Sequence, residues 1–591
     1  MNKENQNHHF LKSAMKTVFK HRPMFFLLLF GTVGIGAIAN VWPSLILRQI
    51  VDGPLTTGEG AIWKMAFTYL AAVLVIGILD FIREISATVI GQGVLLDIRK
   101  QMLEHLQKLP MKYYLRVPVG ETLSKFTADL DAVNTLFSAG LVSAMADILK
   151  ILGIFVALFA LSKPTGWIAL GALPIIFFLS NFFRKNIFVK QKEVRKKVSD
   201  INTTIQEVYS GLKIVKTFGK EDLFSKRFEE KLEAHRLAMN GNSIYDAWFP
   251  CIMQIVRASV IALALVVGAS NNGTTFALGL SIGTLAAIAD LFVRMFEPVE
   301  AIASEIQTIQ QAFAGIDRVK GFFSEIVEDK HSDETENVIH MDPTVKSDII
   351  LNHVVFEYTD GKKVINKATF TIKEGSKVAI AGRTGSGKTT ILSLIAGLYP
   401  ATSGTITIGG ANPFLLPASE RRKYMGIVPQ NVQLFNGSIL DNITLKDTDI
   451  TREDAWIALE TVRLGETVRE LEKGIDTVIG EGEVQLSFGQ MQLLSLARAI
   501  VINPPILLLD ELTSGLDALT EKVLLNAIRQ VSSNRTIITI SHRISGIIDA
   551  DTVHIMDAGK VVESGTPEEL SKMDGWFAIY KRLEERGWKV G

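Results

Sequence analysis

Gly382-Arg383-Thr384-Gly385-Ser386-Gly387-Lys388-Thr389, followed by Thr390, spells G-x-x-x-x-G-K-[ST], the pattern of a loop that wraps phosphate groups. Gly385 and Gly387 let successive backbone N–H groups turn inward around β- and γ-phosphates, along a path that Cβ atoms would obstruct. Lys388 brings a point charge to the same oxygens, and the Thr389 hydroxyl is suited to ligate Mg2+. Upstream, Lys377-Val378-Ala379-Ile380-Ala381 reads as a strand; downstream, Ile391-Leu392-Ser393-Leu394-Ile395-Ala396 reads as a helix. The loop then ends at a positive helix N-terminus, inside an α/β unit.

Outward from this loop, Ile506-Leu507-Leu508-Leu509-Asp510-Glu511 is an apolar strand ending in two carboxylates. A phosphate loop needs such acids on the neighbouring strand. Asp510 would hold the Mg2+ shell, and Glu511 would polarise an attacking water.

A chain of 591 residues exceeds one compact core, so at least two domains are expected. Hydrophobic residues make up 48% and charged residues 21%, which at this length points to membrane spans in part of the chain. A net formal charge of zero argues against a nucleic-acid binder driven by overall charge. The single cysteine, Cys251, excludes an intrachain disulfide and lies in an apolar run that suggests burial.

Six apolar segments, at about 24–47, 61–81, 141–161, 167–183, 249–269 and 275–296, are each of spanning length. The connections at 52–60, 162–166 and 270–274 are short and carry Lys163 as their one basic residue. Those at 83–134 and 184–246 are long, helical in pattern and rich in Lys and Arg. The positive-inside rule places them and both termini in the cytoplasm, with helices extending beyond the bilayer. The polar, basic residues 1–22 lack a signal-peptide pattern. In that stretch Phe10, Leu11, Met15, Val18 and Phe19 fall near one helical face, as in a helix at the membrane surface.

Within or close to the apolar segments lie Asp80, Arg83, Asp147, Lys150, Arg257, Asp290 and Arg294. Ionisable groups there face a partner or a water-filled cavity. Asp290 and Arg294, spaced i,i+4 and deepest, are candidates for a substrate cavity. Acidic residues from Ser324 to Pro343 read as a linker. The domains are then 1–22 (interfacial), 23–318 (membrane), 319–345 (linker) and 346–591 (the phosphate-loop domain).

Between the two phosphate-site motifs stands Leu486-Ser487-Phe488-Gly489-Gln490. With it the C-terminal region resembles the nucleotide-binding domain of ATP-binding cassette (ABC) transporters, whose signature loop usually reads Leu-Ser-Gly-Gly-Gln. Further motifs follow the family's order. Tyr358 looks like the aromatic that stacks on adenine, and Gln430, in Val428-Pro429-Gln430, matches the loop joining the Mg2+ site to the membrane domain. Gly480-Glu481-Gly482 is similar to an exporter-specific segment. Ser514-Gly515-Leu516-Asp517 resembles the loop crossing the dimer interface, and His542 matches the switch histidine at the γ-phosphate. The resemblance covers nearly the whole chain. It implies an all-α six-helix transmembrane domain of ABC exporter type fused to an α/β P-loop ABC ATPase domain. In that family 118–121 and 209–212 would be the tips of two coupling helices.

Phe488 departs from the family pattern, standing where glycine is expected. It adds bulk where close approach is needed and excludes backbone conformations open to glycine. Lys388, Asp510, Glu511 and His542 nevertheless match a hydrolytic half-site. Such a chain resembles one subunit of a heterodimeric multidrug exporter, binding ATP and Mg2+ and moving a drug-like amphiphile across the bilayer. A homodimeric lipid flippase or peptide exporter, and a non-transporting ATPase on the same scaffold, are the alternatives.

Overall fold

The computed structural model describes residues 16–56, 62–136, 140–269, 280–328, 347–358, 361–480, 483–512, 516–541 and 543–585. The chain separates into two compact units, Met1–Lys108 with Val119–Ile326, and Val327–Gly591 with Leu109–Pro118.

The first unit is helical. In chain order it contains α1 (Pro23–Ala39), α2 (Trp42–Ile50), a wider π turn at Val51–Leu55 and α3 (Ile62–Gln107). Short helices follow: α4 (Met111–Arg116), which belongs to the second unit, then α5 (Val119–Phe126) and α6 (Ala128–Thr135) of the first. Then come α7 (Leu141–Leu161), α8 (Lys163–Ser210), α9 (Leu212–Thr217), α10 (Glu221–Ala269) and α11 (Ile282–Phe323). Five segments, Pro23–Leu55, Ile62–Gln107, Leu141–Leu161, Lys163–Ser210 and Glu221–Gly268, are long and apolar enough to cross a membrane. The expected sixth begins outside the described residues; its remainder forms the first turns of α11. Helices of 46 to 49 residues reach about 70 Å, more than twice a bilayer's hydrocarbon core. They therefore project well past it.

Side chains from α11 form the axis of packing: Ile288, Leu291, Phe292 and Phe296 are fully buried against Ile154 and Leu158 of α7 and Ile176 of α8. Large apolar side chains such as Leu27, Phe178 and Val266 point outward instead. Cys251 shares that fate. It is exposed on α10, against the expectation of burial, because an apolar run in a spanning helix faces lipid as readily as core.

The far end of α11 is locked to the π turn. Asp52 accepts from the Ser281 hydroxyl at 2.6 Å and from the Gly283 N–H at 2.8 Å. A Cβ at Gly283 would collide with the Arg48 carbonyl and the Asp52 carboxyl. Val18, on the helical stretch before α1, is buried against Gly93 of α3. Phe10, Leu11 and Met15 lie outside the described residues.

The stretches 118–121 and 209–212, expected at coupling-helix tips, lie at helix junctions. Pro118 does separate α4 from α5, but Glu121 is already inside α5. At Gly211 the chain merely steps from α8 into α9; the reversal comes at Gly219, with φ at +57°. Glycine there, not at Gly211, supplies the left-handed residue a sharp exit requires.

The second unit contains β1 (Ile349–Glu357), β2 (Lys363–Ile372), β3 (Lys377–Gly382), β4 (Ser403–Ile408), β5 (Met425–Val428) and β6 (Gly437–Ser438). After them come β7 (Val478–Ile479), β8 (Ile506–Asp510), β9 (Thr536–Ile540), β10 (Thr552–Asp557) and β11 (Lys560–Gly565). A three-stranded antiparallel sheet places β1 between β2 and β4, and β6 pairs with β7. The main sheet has six strands in the order β11-β10-β3-β9-β8-β5. All its neighbours are parallel except β10 and β11. β3 and β8 are buried almost throughout, as continuous apolar strands of a covered parallel sheet must be.

The sheet corrects one expectation. β8 does not neighbour β3: β9 lies between them, pairing Ile380 on one side and Asp510 on the other through Ile540. Residues at the C-terminal edge of three adjacent strands thus surround the phosphate loop, where ligands of open α/β sheets bind.

Candidate nucleotide site

Helix α12 (Lys388–Ile395) starts at Gly387, whose φ is +100°. A Cβ on Gly387 would press on Ile365 Cδ1 at 2.6 Å and the Val364 carbonyl at 3.0 Å, so conformation and space both require glycine. Gly385, with φ at +81°, opens the loop one step earlier. Lys388 is buried and folds onto its own loop, donating to the carbonyls of Gly382 at 3.1 Å and Arg383 at 3.0 Å. Burial pulls its ammonium below the usual lysine range, against the pull of Glu511 and Asp510. Ser386 is buried too, and its Oγ has no hydrogen-bond partner. A buried cation and an orphaned hydroxyl in one tight turn are what phosphate oxygens would satisfy.

Asp510 and Glu511 close the opposite wall. Thr389 Oγ1 donates to Asp510 Oδ1 at 3.4 Å. Burial, then the adjacent Glu511, push the Asp510 carboxyl up to about 6. A divalent cation would reverse that shift, so Thr389 and Asp510 fit a Mg2+ site. Glu511 itself has φ at +46°, the left-handed region that costs an ordinary residue about 1–2 kcal/mol. Its N–H is held by the Ile540 carbonyl at 3.1 Å, and its Oε2 accepts from Gln430 Nε2 at 2.6 Å. Backbone strain of this kind clusters at functional sites, and here it falls on a carboxylate held from two sides.

Tyr358 is half-buried: its ring meets Phe356 and Tyr399 edge-on, and its hydroxyl lies 3.0 Å from Thr390 Oγ1. This ties the proposed adenine-stacking ring to the start of α12.

The signature residues open α17 (Phe488–Ile500), numbered after α13 (Ala418–Tyr424), α14 (Ile439–Thr444), α15 (Arg452–Thr461) and α16 (Gly465–Glu470). Ser487 caps the helix reciprocally with Gln490: Ser487 N donates to Gln490 Oε1 at 2.8 Å, and Gln490 N to Ser487 Oγ at 3.3 Å. Leu486 packs on the adjoining core. Gly489 is buried, and a Cβ there would strike the Thr520 side chain. Phe488 occupies the first helical position and is 42% exposed. Its backbone is ordinary helix, so the expected conformational penalty is absent; the bulk of the ring remains. Asp517 caps α18 (Ala518–Val531), accepting from Leu519 N and Thr520 N at 3.1 Å each. Thr520 holds its carboxyl below the usual range. Ser514 and His542 lie outside the described residues, as do Glu481 and Gly482.

Sequence reasoning missed a clamp behind Gln430. Asn442, fully buried on α14, accepts from Phe435 N at 2.8 Å and donates to Phe435 O at 2.8 Å and Ser438 O at 3.1 Å. Arg498 of α17 donates to Asn442 O at 2.6 Å, Asn442 Oδ1 at 3.0 Å and Gln433 O at 3.0 Å, beneath the Phe435 ring. Gln492 donates to the Gln430 carbonyl at 3.3 Å. Three polar residues among the apolar positions of these helices were the available signal.

In the membrane unit Arg294 Nε donates to Asp290 Oδ2 at 2.8 Å, and the same oxygen accepts from the buried Ser44 hydroxyl at 2.6 Å. The structure brings the two candidates together and ties them to α2. Arg83 pairs with Asp80 at 2.6 Å, and Lys150 lies 3.7 Å from Asp147.

Comparison with known proteins agrees with this architecture. Residues 24–299 match the ABC transporter transmembrane region, and residues 365–514 match the ABC transporter ATPase family model. A probable multidrug resistance ABC transporter ATP-binding/permease protein, YheH, of Bacillus subtilis (strain 168) is 32% identical over 495 residues, 83% of this chain and 72% of that one. An ATP-dependent lipid A-core flippase of Legionella pneumophila (strain Lens) is 29% identical over 566 residues, covering 92% and 95%. In fold the chain is similar to a bacterial Atm1-family ABC exporter with ATP bound, at a TM-score of 0.76 and 23% identity over 96% of this chain and 99% of that one. The chain belongs to the ABC transporters of exporter type, a multi-pass membrane protein whose fused ATPase domain couples ATP hydrolysis to transport.

Proposed function

We propose that this chain is one half of a heterodimeric exporter of drugs or other amphiphiles, with one hydrolytic and one degenerate ATP site. The observation that carries this reading is Phe488, a large exposed ring at the head of α17. In a head-to-tail pair of ATPase domains this ring would meet the ATP held by the partner, where the family has glycine. The chain's own half-site is complete by contrast: Lys388, Thr389 and Thr390 with the backbone of 382–387 would hold the phosphates, and Tyr358 the adenine. Thr389, Asp510 and Gln430 would hold Mg2+, which neutralises charge developing on the phosphates. Glu511 would take the proton from the attacking water, with His542 at the γ-phosphate. Leu486, Ser487, Gly489 and Gln490 would complete the partner's site, and Ser514 and Asp517 the subunit boundary.

The basic long connections support placing the ATPase domain and both termini in the cytoplasm. We take 23–318 as the membrane domain, 319–345 as the linker and 346–591 as the ATPase domain. The similarity to a multidrug resistance transporter supports drug efflux. The similarity to a lipid A-core flippase keeps a homodimeric lipid flippase as the second reading.

The deciding experiment purifies the full chain alone and together with a candidate second half-transporter from the same cell. The chain alone should hydrolyse ATP poorly, and the pair vigorously in a drug-responsive way. Full drug-stimulated turnover by the chain alone would replace the heterodimer with the homodimer.

A further inference from the structure

We propose that Arg184, Arg257 and the rings around them form a seat for the anionic headgroup of an amphiphile, so that the transported class carries phosphate or carboxylate. The inference rests on the exporter reading above and narrows its substrate.

Three helices converge there. Arg184 comes from α8, Arg257 from α10 and Glu300 from α11. Arg184 donates to the Glu300 backbone carbonyl at 2.5 Å, and Arg257 reaches the Glu300 carboxylate at 3.5 Å. The Nε of each arginine is buried and has no hydrogen-bond partner. Asp290 with Arg294 is a one-to-one pair, and Asp80, Arg83, Asp147 and Lys150 form a cluster of two acids and two bases. Here two guanidiniums lie beside a single carboxylate, Arg257 in contact with it and Arg184 bonded to the backbone carbonyl of the same residue, which leaves one positive charge over among the described residues. A surplus half-buried charge with two buried, unsatisfied Nε donors is costly at membrane depth unless something accepts from it. The Nε–H edge of guanidinium, with the adjacent Nη, is the fork that phosphate and carboxylate accept from in pairs.

Apolar groups surround the charge. Arg257 lies over the Phe296 ring at 5.4 Å, and Phe183 meets Phe249 at 5.7 Å between centroids. Such walls suit an alkyl or aryl tail beside its headgroup. Depth agrees as well. At the helical rise, Arg184 lies about 30 Å from the start of α8, and Glu300 about 27 Å from the start of α11. Both helices start on the face opposite the long basic connections, so the seat falls near the inner border of a core about 30 Å thick. That is where the headgroup of an inner-leaflet amphiphile resides. A cationic headgroup would meet like charge there.

The test uses the full chain with its partner subunit in phosphatidylcholine vesicles and reads ATP hydrolysis. The probes are dodecyl phosphate and, as its cationic counterpart, dodecyltrimethylammonium. Dodecyl phosphate should stimulate hydrolysis, and R184Q and R257Q should each raise its half-stimulating concentration about tenfold, the loss of one charge-assisted bond. E300Q should lower that concentration, since it removes the competing carboxylate; it decides the matter if the arginine variants fail to fold. Including phosphatidic acid in the vesicles separates a lipid headgroup, which then competes with the probe, from a soluble amphiphile, which does not; either supports the seat. Stimulation by the cation alone, or a dodecyl phosphate response that E300Q and the arginine variants leave unmoved, overturns it. So does subunit dissociation in R184Q and R257Q with no change in E300Q, which would make these arginines contacts to the partner. Absence of Glu511-dependent hydrolysis would instead defeat the exporter reading, a different failure.

Discussion

Gln430 Nε2 donates to Glu511 Oε2 across 2.6 Å, joining the segment after β5 to a carboxylate whose own backbone is left-handed. The amide therefore sets the direction of the proposed base and moves with the segment that Asn442 and Arg498 hold.

Glu511→Gln should lower turnover by at least about a hundredfold, the usual range for a lost general base. Nucleotide affinity should change little, because Lys388 and Thr389 are untouched and the carbonyl of the introduced amide can still accept from Gln430. Turnover and ATP affinity are measured on one preparation. A parallel loss of both would make Glu511 structural.

Asp510 titrates abnormally in the folded chain, and the sign of its effect follows. Its folded value of about 6 lies above the ordinary carboxylate value of 3.8, so the folded state binds the proton more tightly. Its contribution to stability then declines as pH rises through that interval. Asp510→Asn should raise the thermal midpoint without nucleotide at pH 8, and the gain should vanish by about pH 4. The same variant should lose the Mg2+ dependence of ATP binding. Equal midpoints for both proteins across this range would show that the carboxylate is not penalised by burial.

Asn442→Ala strands donors and acceptors of Phe435, Ser438 and Arg498 at a fully buried position. A loss of about 3 kcal/mol or more is expected, read by denaturant unfolding. Hydrolysis should fall further than ATP binding, since Gln430 and Glu511 lose their support. A loss below about 1 kcal/mol would mean that water substitutes for the clamp.

Phe488→Gly should increase hydrolysis only slightly. The site that Phe488 covers also needs the partner's counterpart of Glu511, and two defects in one site act as a unit. Restoring glutamate in the partner together with Phe488→Gly is the matching experiment. Two equally active sites after the single change would end the asymmetric model. Because Phe488 has ordinary helical backbone, the glycine relieves no strain and should lower the thermal midpoint slightly.

Asp290→Asn and Arg294→Gln, scored for expression, basal ATPase and transport of several amphiphiles of both charges, test the pair at the candidate substrate cavity. Ser44 already bonds Asp290 at 2.6 Å, so Ser44→Ala should reduce thermal stability as Asp290→Asn does. Altered selectivity in Asp290→Asn with normal expression would place the pair in the substrate path.

The phosphate loop was legible because its demands are local: Gly387 needs a left-handed φ, and Lys388 must follow it. Asp510 and Glu511 were legible as a strand ending in acids, but not the interposition of β9, since strand order depends on long-range pairing. Phe488 was visible as a departure, yet its helical backbone was not, and half of the expected penalty disappeared with it. Cys251 misled because apolar surroundings in sequence do not separate lipid from core. Arg257 was legible as an ionisable group in an apolar segment, but neither it nor Arg184 and Arg498 announces its partners, which lie far along the chain.

Helix α17 has Ser487 and Phe488 at its head, Gln492 on the Gln430 carbonyl midway, and Arg498 gripping Asn442 near its end. Over its 13 residues this spans about 20 Å of continuous helix. Its contacts suit a push-rod: a displacement imposed at Phe488 would be passed to Gln430, and through it to Glu511. The bulk at position 488 then has a mechanical reading as well as a steric one, because a rod held off by a larger tip stops at a different point in its stroke.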